Sequence, residues 1–305
     1  MLLGGAILVV CCFFYWKFSP RQISPRPKPV ESTEPWKDFS GEKALAQVRA
    51  LVDLGPRPPA SPAIQRARLH ITRELSNCHW QVEEQAFEEK TPRGEVRFVN
   101  LIATHGELGK KGARFLVCSH YDTKTFDTIT FVGANDGGSS TGALIEMARV
   151  LDLHPALANQ VELVFFDGEE AYVQFTKTDG LYGSRYFAKQ LAASNRSFRG
   201  GILWDMIGDR DLTITLPLDS PPDLARGIFA AADALQVRDH FTYYEDAVLD
   251  DHTPLNEAGI PTIDLIDFDY PPWHTAADTI DKLSADSLRI VGAVTLRYLV
   301  EMNEK

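Results

Sequence analysis

The sequence predicts an α/β fold: a three-layer sandwich in which helices cover both faces of a central mixed, mostly parallel sheet. Three observations predict it. Short apolar stretches such as "ARFLVCSHYD", "VELVFFD", "GILWDMIG" and "PTIDLIDF" alternate with segments of helical apolar spacing, the pattern of strands joined by crossover helices. These strands are apolar at nearly every position, as strands buried on both faces are. Acids and imidazoles then gather where the strands stop, and ligands of such sheets collect outside the carboxyl ends of the strands.

The elements follow in chain order. The run "MLLGGAILVVCCFFYW" is apolar for about 16 residues, near the lower limit for a bilayer span. Residues 1–18 are therefore expected to be a hydrophobic anchor or signal segment. No basic stretch precedes the run and no small-x-small site follows it, which favours an uncleaved anchor. Residues 19–35 are rich in proline and serine and read as a linker. Such a protein would be membrane-anchored or exported, with the side of the membrane left open.

Residues 36–305 read as a single domain. Helices are expected over 42–55 and 62–75, separated by the loop "GPRPPASP". Strands over 80–89 and 96–106 should pair as an antiparallel edge hairpin, with "EEQAFEEK" a solvated face. A buried strand over 113–122 leads to a helix over 140–153, with Ser139 or Ser140 as its N-cap. A strand over 161–167, a helix near 183–193, a strand over 201–208 and a helix near 221–234 come next. The strand over 261–268 and a helix from about Ala285 complete the reading.

Composition narrows the function. A formal charge of −11 with no basic stripe argues against a nucleic-acid partner. Two of the four cysteines lie in the expected anchor, so Cys78 and Cys118 could form at most one disulfide. Cys118 sits in an apolar run and reads as a buried free thiol.

The chemistry centres on "VELVFFDGEEAYVQF", where a buried strand ends in Asp167, Gly168, Glu169 and Glu170. Adjacent buried glutamates repel unless a cation lies beside them. His120 and Asp122, Asp136, Asp205, Asp251 and His252, and His274 fall at other strand ends or in later loops. A histidine with carboxylates is the ligand set of a zinc site. One glutamate could then bind the ion while its neighbour carries protons. The bland alternative, a solvated helix start at Glu169 and Glu170, fits poorly with so many companions. Trp273 reads either as core packing or as a pocket wall, and His252 as a structural histidine. His70, His79, His105 and His154 read as surface or packing residues.

The motifs "SHYDTK", "FVGANDGGSSTGALIEMARVL", "VELVFFDGEEAY", "DGLYGSRYFA", "WDMIGDRDL", "DDHTPLNEAGIPTIDLI" and "WHTAADT" resemble, in this order, those of the glutaminyl cyclases. These are glutaminyl-peptide cyclotransferases, within a broader superfamily of zinc-dependent aminopeptidases. The resemblance runs from about Ala44 to the C-terminus. It implies a three-layer α/β sandwich that converts N-terminal glutamine of peptides or proteins to pyroglutamate with release of ammonia. It implies one Zn2+ held by Asp136, Glu170 and His274, with Glu169 as general acid/base. Asp205 and Asp251 fall where the family has acids around the reacting centre, and Trp273 falls at a pocket wall. His120 corresponds to a remnant of the second metal site of the aminopeptidases.

Two departures stand out. Phe175 occupies the region where animal-type cyclases carry a tryptophan, so it is expected to line the substrate pocket without an indole hydrogen bond. Cys118 has no partner cysteine, since Thr141 occupies the region where those enzymes have the second half of a disulfide. A bacterial-type cyclase is the easier match. Two alternatives remain: an aminopeptidase filling both metal sites through His120 and Asp205, and a non-catalytic peptidase-like binding ectodomain. The last should have lost a ligand or the base, and all are present. Oligomeric state is not legible in the sequence.

Overall fold

Alternate residues of the central strands enter two different cores, and this period of two sets the layers. On one face, Phe115, Val117, Leu163, Phe165, Ile202, Trp204, Ile263 and Leu265 join a large apolar core. On the other, Leu116, Cys118, Val164, Phe166 and Leu203 join a smaller one. The computed structural model describes residues 34–106, 114–194 and 196–303. The expected anchor and nearly all of the expected linker lie outside these residues. Among the described residues no helix is long and apolar enough to cross a membrane.

The strands are β1 (Trp80–Thr91), β2 (Gly94–His105), β3 (Arg114–His120), β4 (Val161–Phe166), β5 (Phe198–Asp205), β6 (Ile214–Leu216), β7 (Phe241–Tyr243) and β8 (Thr262–Ile266). They form one sheet in the order β1-β2-β4-β3-β5-β8-β6-β7. The central run β4-β3-β5-β8 is parallel. β1 and β2 form the expected antiparallel hairpin, β2 is antiparallel to β4, and β6 is antiparallel to β8. The sheet is thus mixed and mostly parallel in its centre. β1 exposes most of its length, as its charges require.

Helices α1 (Gly41–Val52), α2 (Pro62–Asn77), α3 (Gly138–Leu153), the short α4 (Pro155–Ala158), α6 (Pro222–Ala234) and α8 (Ala285–Asn303) cover the large core. Helices α5 (Tyr182–Ala192) and α7 (His252–Glu257) cover the small one. α1 buries Leu45, Val48 and Leu51 along one stripe, each worth about 1.5–3 kcal/mol when fully removed from water. α2 starts as its sequence dictates: Ser61 Oγ accepts from Ile64 N–H at 3.1 Å, and Pro62 occupies the first turn.

α3 departs from expectation. Neither Ser139 nor Ser140 caps it, because Ser139 Oγ donates to Asn135 O at 2.6 Å and Ser140 Oγ accepts from Ser119 at 2.8 Å. Gly137 precedes the helix instead, with φ of 70°. A Cβ there would lie 2.7 Å from Asp122 O and 2.8 Å from the His120 ring, so only glycine fits this close approach. Cys78 and Cys118 are both free, and Cys118 is buried as expected.

Candidate active site and metal centre

The parallel strands β3, β4, β5 and β8 all end on one side of the sheet, and the segments that leave them converge there. His120 and Asp122 leave β3, Glu169 and Glu170 leave β4, and Asp205 ends β5. Asp136 comes from the loop before α3, and His274 from the loop after β8, where its backbone is left-handed with φ of 54°. A cavity of about 350 Å³ opens among Asp136, Glu169, Glu170, Asp205 and His274.

One donor set lies at the floor of this cavity. His274 Nε2 stands 3.3 Å from Asp136 Oδ2 and 3.3 Å from Glu170 Oε1. Two donors each about 2.1 Å from a tetrahedral ion lie about 3.4 Å apart, so the three side chains have the spacing of ligands. Two carboxylates and an imidazole also suit zinc chemically and leave a fourth position for substrate. A second set shares Asp136: His120 Nε2 is 3.3 Å from Asp136 Oδ1 and 3.2 Å from Asp205 Oδ1. His120 Nδ1 faces Asp122 Oδ1 at 3.4 Å.

Buried carboxylates hold the ligand segments. Asp122 accepts the backbone N–H of both Glu169 (3.1 Å) and Glu170 (3.4 Å). Asp278 accepts those of Asn135 (2.8 Å) and Asp136 (3.2 Å), and itself receives the Tyr270 hydroxyl at 2.8 Å. Lys124 Nζ reaches Glu170 Oε2 at 3.2 Å and Ala171 O at 2.8 Å. Gly168 makes the turn before the glutamates at φ of 77°. A Cβ there would sit 2.4 Å from the Phe98 ring.

The electrostatics separate the two glutamates. Burial lifts the Glu169 carboxyl well above its ordinary range, and the Asp250, Glu170 and Asp251 charges push the same way against His120. Burial raises Glu170 as well, with Asp136 adding to it, while His274 and Lys124 oppose. For Asp205, burial outweighs its hydrogen bond to His120 and lifts it to about 7. Burial would lower His274, but hydrogen bonds to Asp136 and Glu170 outweigh it and bring the ring to about 9. A carboxyl raised well above its ordinary range beside carboxylates with the spacing of metal ligands is equipped to take and return a proton.

The walls are aromatic. Trp273 stacks on His274 with ring centroids 4.1 Å apart and planes at 24°. It is 40% exposed at the cavity edge, so it is a wall and not a core residue. Phe175 also borders the cavity, under Lys124, whose Nζ lies 5.4 Å from the ring centroid.

The expectation for Asp251 needs correction. Its side chain is fully buried and does not border the cavity, whereas its neighbour Asp250 does. The turn into α7 sends adjacent side chains in different directions, and a paired "DD" in sequence does not say which one faces inward. Three of the four histidines read as surface or packing residues have acidic partners, whereas His70 meets Gln47 and Arg73. Asp152 bridges His79 at 3.0 Å and His105 at 2.9 Å, and His154 meets Asp38 at 2.8 Å. None of them borders the cavity.

Sequence reasoning missed Arg57. It is fully buried, and its guanidinium donates to Val132 O at 2.8 Å, Gly133 O at 3.1 Å and Tyr121 O at 3.3 Å. These carbonyls belong to the segments that carry Asp136 and Asp122. The arginine inside "GPRPPASP", ahead of no charged neighbour, was the available signal.

The chain is similar to known proteins both in sequence and in fold. The profile of peptidase family M28 matches residues 100–299. The glutaminyl-peptide cyclotransferase of the snake Boiga irregularis is 32% identical over 289 residues, spanning 80% of this chain and 77% of that protein. The crystal structure of an Acidobacteriales bacterium glutaminyl cyclase superposes with a TM-score of 0.79 at 33% identity, over 94% of this chain and 98% of that one. A Zn-dependent exopeptidase from Parabacteroides distasonis also superposes, with a TM-score of 0.79 at 26% identity, over 86% of this chain and 98% of that one.

Proposed function

The chain belongs to peptidase family M28 and to the glutaminyl-peptide cyclotransferases, and we propose from that premise that it cyclises N-terminal glutamine of peptides to pyroglutamate, releasing ammonia. The observation that carries the reading is the cavity, which brings Glu169 beside Asp136, Glu170 and His274.

In this reading Asp136, Glu170 and His274 hold one zinc ion, which when bound supplies a Lewis acid for the γ-amide carbonyl. The substrate's own α-amine is the nucleophile, tethered to its target, so the entropy of bringing the reactants together is largely met beforehand. Glu169 takes a proton from the α-ammonium and delivers one to the departing nitrogen, a role that typically contributes about 10²–10⁴-fold. Asp205 and Asp250 border the same space, and the Asp250 charge helps burial raise Glu169 so that it can hold the proton it transfers. Trp273 and Phe175 flank the substrate, and the surrounding acids favour its cationic amino terminus. The apolar run at residues 1–16 supports an anchored or exported enzyme.

A second reading rests on the other donor set. His120, Asp136 and Asp205 could hold a further ion, the arrangement of a two-metal aminopeptidase in which Glu169 would activate water. A paired assay decides between them. Pyroglutamate and ammonia from Gln-initiated peptides, with zinc retained but turnover lost in Glu169→Gln, supports the cyclase. Release of leucine from Leu-initiated peptides with no pyroglutamate formed would overturn it.

A further inference from the structure

Behind the cavity wall, between β8 and the start of α7, lies a separate group of donors. Asp250, His252 and Asp264 each bring a ligand atom within 4.8 Å of the others. Their exposures are 3%, 1% and 0%. Asp264 stands opposite Leu203 in the β5–β8 register, on the side of the sheet covered by α5 and α7. None of the three belongs to either donor set in the cavity.

The group is not balanced by the protein around it. Among the described residues no lysine or arginine forms an ion pair with Asp250, Asp251 or Asp264. Asp250 Oδ2, both ring nitrogens of His252 and both oxygens of Asp264 have no hydrogen-bond partner of good geometry, and Asp250 and Asp264 face each other closely enough to raise the Asp264 carboxyl. A buried polar atom left unpaired costs about 1–3 kcal/mol and a charged one more. Native interiors tolerate few such atoms, and here five occur on three adjoining side chains.

The spacing points to a ligand shell and not to direct pairing. His252 Nδ1 lies 3.6 Å from Asp264 Oδ2, beyond hydrogen-bond range. It is close to the roughly 3.4 Å that separates two donors on one tetrahedral ion. Across the same ring, Nε2 faces Asp219 Oδ2 at 3.6 Å. The imidazole thus stands between two carboxylates at equal distance, with Asp219 on the side where metal-bound histidines carry an outer carboxylate.

We propose that Asp250, His252 and Asp264 form a second, structural cation site that adjoins the catalytic centre through Asp250. It would take a divalent transition ion of the zinc–manganese class. One imidazole with two carboxylates suits these ions, whereas calcium and magnesium favour all-oxygen shells. Asp250 reaches the cavity wall, so an ion here would fix one of the acids that faces the substrate. The proposal holds whether the cavity takes one ion or two.

The test counts ions with the cavity centre disabled. Metal-stripped His120→Gln/Glu170→Gln protein, which lacks a ligand from each cavity set, is dialysed against Zn2+ alone and Mn2+ alone. One equivalent per chain is expected to remain, and its binding should raise the thermal midpoint. Adding His252→Gln or Asp264→Asn should remove both the equivalent and the midpoint shift. If the folded His120→Gln/Glu170→Gln protein binds no ion, or if the equivalent persists in the further variants, the site does not exist and protons neutralise the cluster. Should Asp264→Asn fail to fold, His252→Gln and the parent double variant suffice to decide. Cyclase activity plays no part in the readout, so failure here is separable from failure of the proposed reaction.

Discussion

Replacing Arg57 by methionine keeps much of the side-chain volume and removes the charge and every donor. Three carbonyls lose their partner: Val132 O, Gly133 O and Tyr121 O, held at 2.8, 3.1 and 3.3 Å. Two further contacts, to Leu51 O and Gly55 O, are at 3.5 Å and count for little. An orphaned buried acceptor costs about 1–3 kcal/mol, and partial relaxation of the loops recovers some of it. The change also strips a buried cation from the neighbourhood of Asp278, Asp122 and Asp136, whose charges support it against the burial that lowers it to about 10. A net loss of about 3–5 kcal/mol follows, a large part of the roughly 5–15 kcal/mol available to a folded domain. For a domain of this size each kcal/mol is about 2–4 °C, so the thermal midpoint should fall by roughly 6–20 °C. Arg57→Lys, which keeps the charge but cannot reach all three carbonyls, should fall between. Differential scanning calorimetry of the three proteins under one zinc concentration reads this directly. A loss under about 1 kcal/mol in Arg57→Met would refute the reasoning, because the carbonyls would then be satisfied without the guanidinium.

Two further perturbations are informative. Trp273→Ala removes the ring stacked on His274 at the cavity edge. Losing about 1–2 kcal/mol of substrate contact should raise KM by roughly 5–30-fold with kcat little changed, and Trp273→Phe should recover most of it; loss of zinc instead would mean that the indole positions the ligand. Asp167 is fully buried, and burial, helped by the Asp122 charge, lifts it from 3.8 to about 8 against the Val99 N–H and Arg68. Its contribution to stability is therefore complete below 3.8 and lost as pH rises through 8. Asp167→Asn should flatten that decline, so the stability difference between wild type and variant must move in the variant's favour from pH 5 to pH 8 in urea titrations; a constant difference would show that Asp167 does not titrate with folding.

The fold was legible where periodicity had room to act. α1, α2, α3, α5, α6 and α8 and the long strands each span enough residues for a period of 3.6 or 2 to register. β6 and β7 have three residues each and α4 has four, too few for a pattern, and their places are decided by the neighbours they pair with. The six-residue α7 was hidden by its polar start at His252. At the site, Asp136, Glu169, Glu170, Asp205 and His274 could be nominated because each stands where an apolar strand or its loop ends. The roles of Asp122 and Asp278 were not legible, since both act by accepting backbone N–H groups from residues far along the chain. The choice between Asp250 and Asp251 depended on a single loop rotation that no residue pattern encodes.

The grip of Asp122 on the two neighbouring peptide groups would tie the proposed proton transfer to the proposed ion binding mechanically. Glu169 and Glu170 share one peptide link, and their N–H groups share one carboxylate. They therefore move as a single rigid piece with hardly any relative freedom. In the proposed reaction, a displacement of the Glu170 ligand would carry the Glu169 proton carrier along with it, so the distance between the two roles would be set once, by backbone geometry. Their charges can still be tuned apart through their different neighbours, but their positions cannot.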